Sequence, residues 1–299
     1  MADKSPALKE FIARQMPAIE KALDKAVPKA TTRPQVLHKA MRHSLFAGGK
    51  RLRPLLVLAA AEACGGKPAP ALPLAAAVEC LHTFSLIHDD LPCMDDDDLR
   101  RGVPTCHVVF GEAVALLAGD ALQSLAFELV ASHPGSRRHP AAVMVKDLAI
   151  AGGSLHLIGG QVLDMEAEGR AGTTASQLKQ IHLGKTAALL TACLRLGAMA
   201  ANASPKILTA LSTYGLNLGL AFQVVDDILD VTQTSAQLGK TAGKDAAAGK
   251  ATYPAVLGMD KARKEAKRLT RLSLDALAPL GRRANVLHAM AEYMLLRDF

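Results

Sequence analysis

Apolar residues recur at three- and four-residue intervals along nearly the whole chain, the signature of helices with one buried face. Ala-, Leu- and Val-rich segments predict helices over 5–27, 33–47, 52–64, 71–94, 111–132, 139–168, 175–201, 205–232 and 252–296, the last broken near Pro279-Leu280-Gly281. Two starts are marked: Ser204-Pro205 supplies a cap with proline at the first helical position, and Thr174-Ala175-Ser176-Gln177 fits a capping box. Gly65-Gly66-Lys67-Pro68, Gly102-Val103-Pro104, His133-Pro134-Gly135-Ser136 and Gly169-Arg170-Ala171-Gly172 punctuate the loops. No segment alternates convincingly at period two, no composition shift marks a linker and no repeat is visible. One all-α domain spanning 1–299 is expected, with functional groups at the ends of long helices facing a central cavity.

Composition narrows the picture. Half of the 299 residues are hydrophobic but only 3% are aromatic and Trp is absent, so aliphatic side chains and Ala must fill the core. No window holds 18 uninterrupted apolar residues, and Met1-Ala2-Asp3-Lys4-Ser5 is polar, so neither a membrane span nor a signal peptide is expected. Cys64, Cys80, Cys93, Cys106 and Cys193 are odd in number and scattered, which suits reduced thiols and a cytoplasmic location. A net charge of +7 favours anionic partners. The aromatic interleaving of a single-strand nucleic-acid binder is missing, so no nucleic-acid partner is expected. The run Lys261-Ala262-Arg263-Lys264-Glu265-Ala266-Lys267-Arg268 reads as a solvated helical face.

Two acidic clusters change the reading. Asp89-Asp90-Leu91-Pro92-Cys93-Met94-Asp95-Asp96-Asp97-Asp98 follows the apolar stretch Thr83–Ile87, and Asp226-Asp227-Ile228-Leu229-Asp230 follows Leu220–Val225. Carboxylates emerging from buried segments are unfavourable unless cations compensate them. Oxygen ligands of this kind suit Mg²⁺, held by carboxylates together with substrate phosphates. Helical spacing puts Asp226 and Asp230 about 40° apart, and Asp227 is read with them as facing one ion. In the first cluster Asp89 and Asp95 are about 240° apart on an ideal wheel, which Pro92 distorts.

Basic residues accompany both clusters: Gly49-Lys50-Arg51-Leu52-Arg53-Pro54, Arg100-Arg101, Gly184-Lys185-Thr186 and Gly239-Lys240-Thr241-Ala242-Gly243-Lys244-Asp245. Glycine beside Lys or Arg lets backbone approach an anion while the side chain brings charge. The Gly-x-x-x-x-Gly-Lys-Ser/Thr pattern of a nucleotide P-loop is absent. Together these blocks suggest a polyanion pocket bridged by metal.

With these motifs on the page, the chain resembles the trans-isoprenyl diphosphate synthases from about residue 30 to residue 295, most nearly the bacterial farnesyl diphosphate synthases. The resemblance implies an isoprenoid-synthase helical bundle around a central cavity, a homodimer, and three Mg²⁺ per site. It implies isopentenyl diphosphate and allylic diphosphates as substrates, with farnesyl diphosphate as product. It assigns Asp89, Asp90, Asp95, Asp226 and Asp230 to metal; Lys50, Arg53, His82 and Arg101 to isopentenyl diphosphate; and Arg100, Lys185 and Lys240 to the allylic diphosphate. Thr186 and Gln223 would line the reacting carbons, and the released pyrophosphate would take the final proton. Asp97, Asp98 and Asp227 remain either supporting or solvated, and His88, Cys93 and Met94 are read as local packing.

The resemblance also places Phe84, five residues before Asp89, at the cavity floor, leaving room for about fifteen carbons. Geranylgeranyl or geranyl diphosphate synthesis is the nearest alternative; the two extra residues between Asp90 and Asp95 also occur in geranylgeranyl-producing relatives. A terpene cyclase would have no use for the Gly49–Arg53 block, and a silent regulatory subunit should have lost part of a motif, whereas both clusters are complete.

Overall fold

The computed structural model describes residues 5–170, 172–232 and 251–295. Its helices are α1 (Pro6–Ala26), α2 (Gln35–Leu45), α3 (Leu52–Ala63), α4 (Pro68–Asp89), α5 (Cys106–Phe110), α6 (Glu112–Ala131), α7 (Ala141–Gly152) and α8 (Leu157–Ala167). After them come α9 (Ala175–His182), α10 (Ala188–Ala200), α11 (Pro205–Thr232), α12 (Tyr253–Leu257), α13 (Met259–Ala276) and α14 (Asn285–Leu295). A π-helical turn, Leu183–Ala187, joins α9 to α10, and a 3₁₀ segment, Ala278–Ala284, joins α13 to α14. The fold is all-α and forms one domain, as expected.

Where long predicted helices split, a local cause is visible. The 139–168 segment breaks at Gly152-Gly153, where a side chain on Gly153 would meet the Ala149 carbonyl at 2.7 Å. The 252–296 segment breaks at Gly258 and again at Gly281, both with positive φ. The predicted helix over 71–94 ends at Asp89, and the chain turns through Pro92 instead of continuing. Both predicted caps form: the Thr174 side chain accepts from Gln177 N–H in a capping box, and Ser204 Oγ accepts from Ile207 N–H at 3.4 Å.

Between the predicted helices over 71–94 and 111–132 the periodicity passed over the short α5 and a hairpin. Leu99–Arg100 (β1) and Val103–Pro104 (β2) form a two-stranded antiparallel hairpin. Its two-residue turn, Arg101-Gly102, has positive φ at both positions, the combination that favours tight hairpins.

At the centre, α4 packs against α1, α2, α3, α6 and α10, and α10 also lies against α11. A helix enclosed this way must be apolar all round, and α4 buries Leu74, Val78, Leu81, Phe84 and Ile87 on several faces. By contrast α13 is amphipathic: Ala262, Ala266 and Leu269 are buried while Arg263, Lys264, Lys267 and Arg268 stay exposed, so the basic run is a solvated face.

Five helical stretches (Pro68–Asp89, Glu112–Ala131, Ala141–Ala167, Ala175–Ala200 and Pro205–Thr232) are long and apolar enough to cross a membrane by length and composition. Scattered polar residues interrupt the apolar run in each, so none holds 18 uninterrupted apolar residues. Buried contacts explain the apolarity of α4 and α10. The most apolar windows of Glu112–Ala131 and Ala141–Ala167 are only 39% and 28% buried, so much of their apolar surface faces outward.

Candidate active site

The first cluster begins at the end of α4 and the second lies within α11, and their local structures differ. In the first, Asp89 ends α4 and its carbonyl accepts the Asp95 N–H at 2.8 Å, folding the loop so that Asp95 returns beside Asp89. Burial pushes the Asp89 carboxyl up to about 6, with Lys185 opposing and Asp95 adding to the rise. A carboxylate made this uncomfortable by burial and a like-charged neighbour is a ready partner for a cation.

Asp90 behaves differently. It is 4% exposed and receives Arg100 in a bidentate pair, Nε donating at 2.7 and 2.8 Å with Nη2 close beside it. The hairpin makes this possible, since β1 aims Arg100 back at the helix end. Arg101, in the turn, points to Gly48 instead and donates to its carbonyl. Of the three first-cluster carboxylates assigned by resemblance, Asp89 and Asp95 stand together, and Asp90 is engaged with Arg100.

On α11, Asp230 is 4% exposed and its Oδ1 has no hydrogen-bond partner among the described residues. A buried carboxylate oxygen in that condition calls for a cation or water. Asp226 is partly exposed one turn earlier. Asp227 does not join them. It lies about 100° around the helix from Asp226 and accepts Tyr253 N–H at 2.9 Å, anchoring the start of α12. The expectation that all three carboxylates face one ion therefore fails for Asp227.

The π-helical turn carries the next groups. Thr186 Oγ1 donates to Gln223 Oε1 at 3.0 Å, tying the turn to α11, and Lys185 Nζ donates to Asp164 Oδ2 of α8 at 2.6 Å. The turn seats against α8 because Gly160 has no side chain: a Cβ there would collide with the Lys185 backbone. Extra backbone in a π-turn re-aims side chains, a common use of such bulges.

The isopentenyl-diphosphate candidates gather at the start of α3. Arg53 Nε is buried without a partner among the described residues. His82 is held well below its usual range, first by burial and then by Arg53 and Arg101, so it stands neutral among cations. Lys50 is exposed, its Nζ 6.0 Å from the Tyr293 ring centre. Lys240, Lys244 and Lys250 lie outside the described residues.

A cavity of about 460 Å³ opens between α4, α6, α8 and the π-turn. Its polar lining includes Arg53, His82, Asp89, Lys185 and Thr186, and its apolar lining Phe84, Leu157, Ile158, Val162 and Met165. Reading His88 and Met94 as mere packing was incomplete, because both line this cavity. His88 also reaches the Leu116 carbonyl at 3.0 Å and stands edge-on to Phe84. Gln161 and Asp164 were missed because 139–168 reads as core helix. Their spacing, with Gly160, was the available signal: three residues apart, they share one face.

No three His, Cys, Asp or Glu side chains converge as a self-sufficient cage among the described residues. That suits a hard cation taking only one or two carboxylates from each wall and the rest of its oxygens from phosphate and water. The orphaned Asp230 oxygen and the strained Asp89 carboxyl fit such an ion.

The comparisons with known proteins agree. Residues 34–279 match the polyprenyl synthetase family. The chain is 48% identical over 292 residues to the chloroplastic geranylgeranyl pyrophosphate synthase of Catharanthus roseus, spanning 97% of this chain and 81% of that protein. It is also 48% identical over 266 residues to the farnesyl diphosphate synthase of Escherichia coli, covering 87% and 89%. The crystal structure of an FPP/GFPP synthase from Zymomonas mobilis superposes with a TM-score of 0.86 at 36% identity over 97% of this chain and 99% of that one. The chain therefore belongs to the polyprenyl synthetase family. Within it, this protein is a trans-prenyltransferase of isoprenoid biosynthesis.

Proposed function

We propose that the protein is a Mg²⁺-dependent farnesyl diphosphate synthase, condensing isopentenyl diphosphate with dimethylallyl and then geranyl diphosphate. The observation that carries the product assignment is Phe84 in the wall of the cavity, its ring braced edge-on by His88 at 5.1 Å between centres. A growing chain extends from the polar lining residues and meets an aromatic pair it cannot displace from a packed interior. Overall similarity does not discriminate, since a C20 synthase and a C15 synthase are both 48% identical to this chain. Geranylgeranyl diphosphate synthesis is the second reading, favoured by the similarity to several geranylgeranyl diphosphate synthases.

Bound Mg²⁺ would neutralise charge on the departing diphosphate, the principal demand of ionising an allylic ester. Asp89 and Asp95 on one side and Asp226 and Asp230 on the other would hold it. Arg100, fixed by Asp90, and Lys185, fixed by Asp164, together with Lys240, grip the allylic diphosphate. Lys50, Arg53, His82 and Arg101 take the second diphosphate. The Thr186 and Gln223 oxygens face the reacting carbons, and the released pyrophosphate accepts the final proton.

A homodimer belongs to the same proposal. Leu116 and Leu117 on α6 and Val143 and Ile150 on the neighbouring α7 are exposed although apolar, and none of them lines the cavity. A second copy of the chain would cover that face. Light scattering on Leu117→Glu should show a loss of dimer.

The test is to incubate the protein with isopentenyl and dimethylallyl diphosphates and Mg²⁺ and chromatograph the products. Fifteen-carbon product is expected, shifting to twenty carbons or more in Phe84→Ala. Removing the ring opens space that each added CH₂ would fill with a gain of roughly 0.8 kcal/mol. A folded, active Phe84→Ala that still stops at fifteen carbons would place the floor elsewhere.

A further inference from the structure

Arg51 is an anomaly in the block Gly49–Pro54. It stands between two proposed diphosphate ligands, Lys50 and Arg53, yet it is 3% exposed and points into protein. Its backbone is left-handed, φ 48 and ψ 39, a conformation that a residue with a long side chain rarely adopts and that the surrounding structure must hold in place. Two carboxylates hold it there. Its Nε donates to Glu20 Oε1 at 2.7 Å, and its Nη1 donates to Glu79 Oε1 at 3.0 Å. Because Arg51 is the residue before the first turn of α3, the angle it fixes decides where Lys50 and Arg53 stand on either side.

The two carboxylates are not equivalent. The Glu20 side chain is 41% exposed and pairs from the solvent side with Nε and Nη2, the latter donating to Oε2 at 3.4 Å. Glu79, 2% exposed on α4, sits one helical turn before His82. Its negative charge acts on Arg51, Arg53 and Arg101 together, opposing the effect of burial on all three. Arg51 is buried, Arg53 half-buried and Arg101 on the exposed hairpin turn, and their like charges act on one another unless an anion stands among them.

We propose that Glu79 is the positioning residue of the isopentenyl-diphosphate pocket: it locks the left-handed corner at Arg51 and holds Arg53 and Arg101 together before substrate arrives. The inference rests on the functional reading above and deepens it. Glu79 touches no substrate in this account; it acts through the arginines.

The experiment compares Glu79→Gln, Glu79→Asp and Glu20→Gln in steady-state kinetics, varying each substrate at saturating levels of the other, with thermal melting alongside. Glu79→Gln should raise KM for isopentenyl diphosphate tenfold or more while KM for the allylic substrate stays within about twofold. Glu79→Asp keeps the charge and should recover part of that loss. Glu20→Gln loosens the same Arg51 from outside and should lower the melting temperature with little change in either KM. If Glu79→Gln does not fold, Glu79→Asp carries the test, with a selective rise of at least threefold expected. Equal rises for both substrates, or none in a folded variant, overturn the proposal. Wild-type protein that does not consume isopentenyl diphosphate overturns instead the functional reading beneath it.

Discussion

The two aspartate clusters read alike as strings, yet they solve the same problem in opposite ways. The α4 cluster leaves its helix: after Asp89 the chain turns, and a loop hydrogen bond brings Asp95 back. The α11 cluster stays helical throughout, through Asp230 to Thr232. In each, one carboxylate is engaged by a protein partner. Asp90 is clamped to Arg100, and Asp227 holds the first turn of α12. What the comparison teaches is that adjacent aspartates on one helix end cannot all face one ion. The side chain 100° away must find its own partner, and the fold supplies a different one each time.

The largest effect expected from this comparison separates ion-facing from scaffolding carboxylates. Asp89→Asn and Asp226→Asn should each lower kcat by orders of magnitude with an unchanged circular dichroism spectrum, and EDTA should abolish wild-type activity until Mg²⁺ is restored. Near-normal turnover in a folded Asp226→Asn would remove the ion-facing role of α11.

A smaller and differently shaped effect is expected at Asp90. Asn cannot form the bidentate, charge-assisted pair with Arg100, so Asp90→Asn should raise KM for the allylic diphosphate roughly tenfold. Its Mg²⁺ titration midpoint should stay near that of the wild type. A large shift in that midpoint would mean that Asp90 turns to the metal, as the resemblance assigns it. At Asp227 the change is one of stability. Asp227→Ala leaves the buried Tyr253 N–H without its acceptor, a loss of about 1–3 kcal/mol, and chemical denaturation should show it.

Much of this was legible beforehand, and the reason is the period of the pattern. Helical spacing depends only on which residues are apolar, so α1, α3, α6 and α11 appear nearly at their observed limits. The caps at Thr174 and Ser204 are equally local. What escaped depends on distant partners or backbone freedom. The Arg101-Gly102 turn hides in a loop too short to alternate. The π-turn at Leu183–Ala187 needs Gly160 of another helix to make room. Asp164 and Glu79 look like ordinary helix residues until Lys185 and Arg51 arrive from elsewhere in the chain. The split between Asp226 and Asp227 was available from helical angles alone, but what Asp227 binds was not.

A pH-dependent effect sharpens the α11 side of the comparison through His182. Its ring lies 5.5 Å from that of Tyr253, the residue Asp227 anchors, and its Nδ1 has no partner among the described residues. Burial lowers its pKa from 6.5 to about 4, so the folded protein keeps this imidazole neutral where an unfolded chain would protonate it. The unfolded state therefore binds more protons between those values, and stability falls as pH drops from about 6.5 towards 4. The loss is on the order of 3 kcal/mol across that window. Asp89 works against it: with its folded pKa raised from 3.8 to about 6, its contribution favours the folded state at low pH and fades as pH rises through the same range. Measuring wild type and His182→Gln side by side without added metal cancels the Asp89 part, which both proteins share. The wild type should lose more stability than His182→Gln between pH 6.5 and 4.5 in denaturant unfolding. Parallel slopes would show that His182 is protonated in the folded state, and that the ground between Asp227, Tyr253 and the π-turn is wetter than its packing implies.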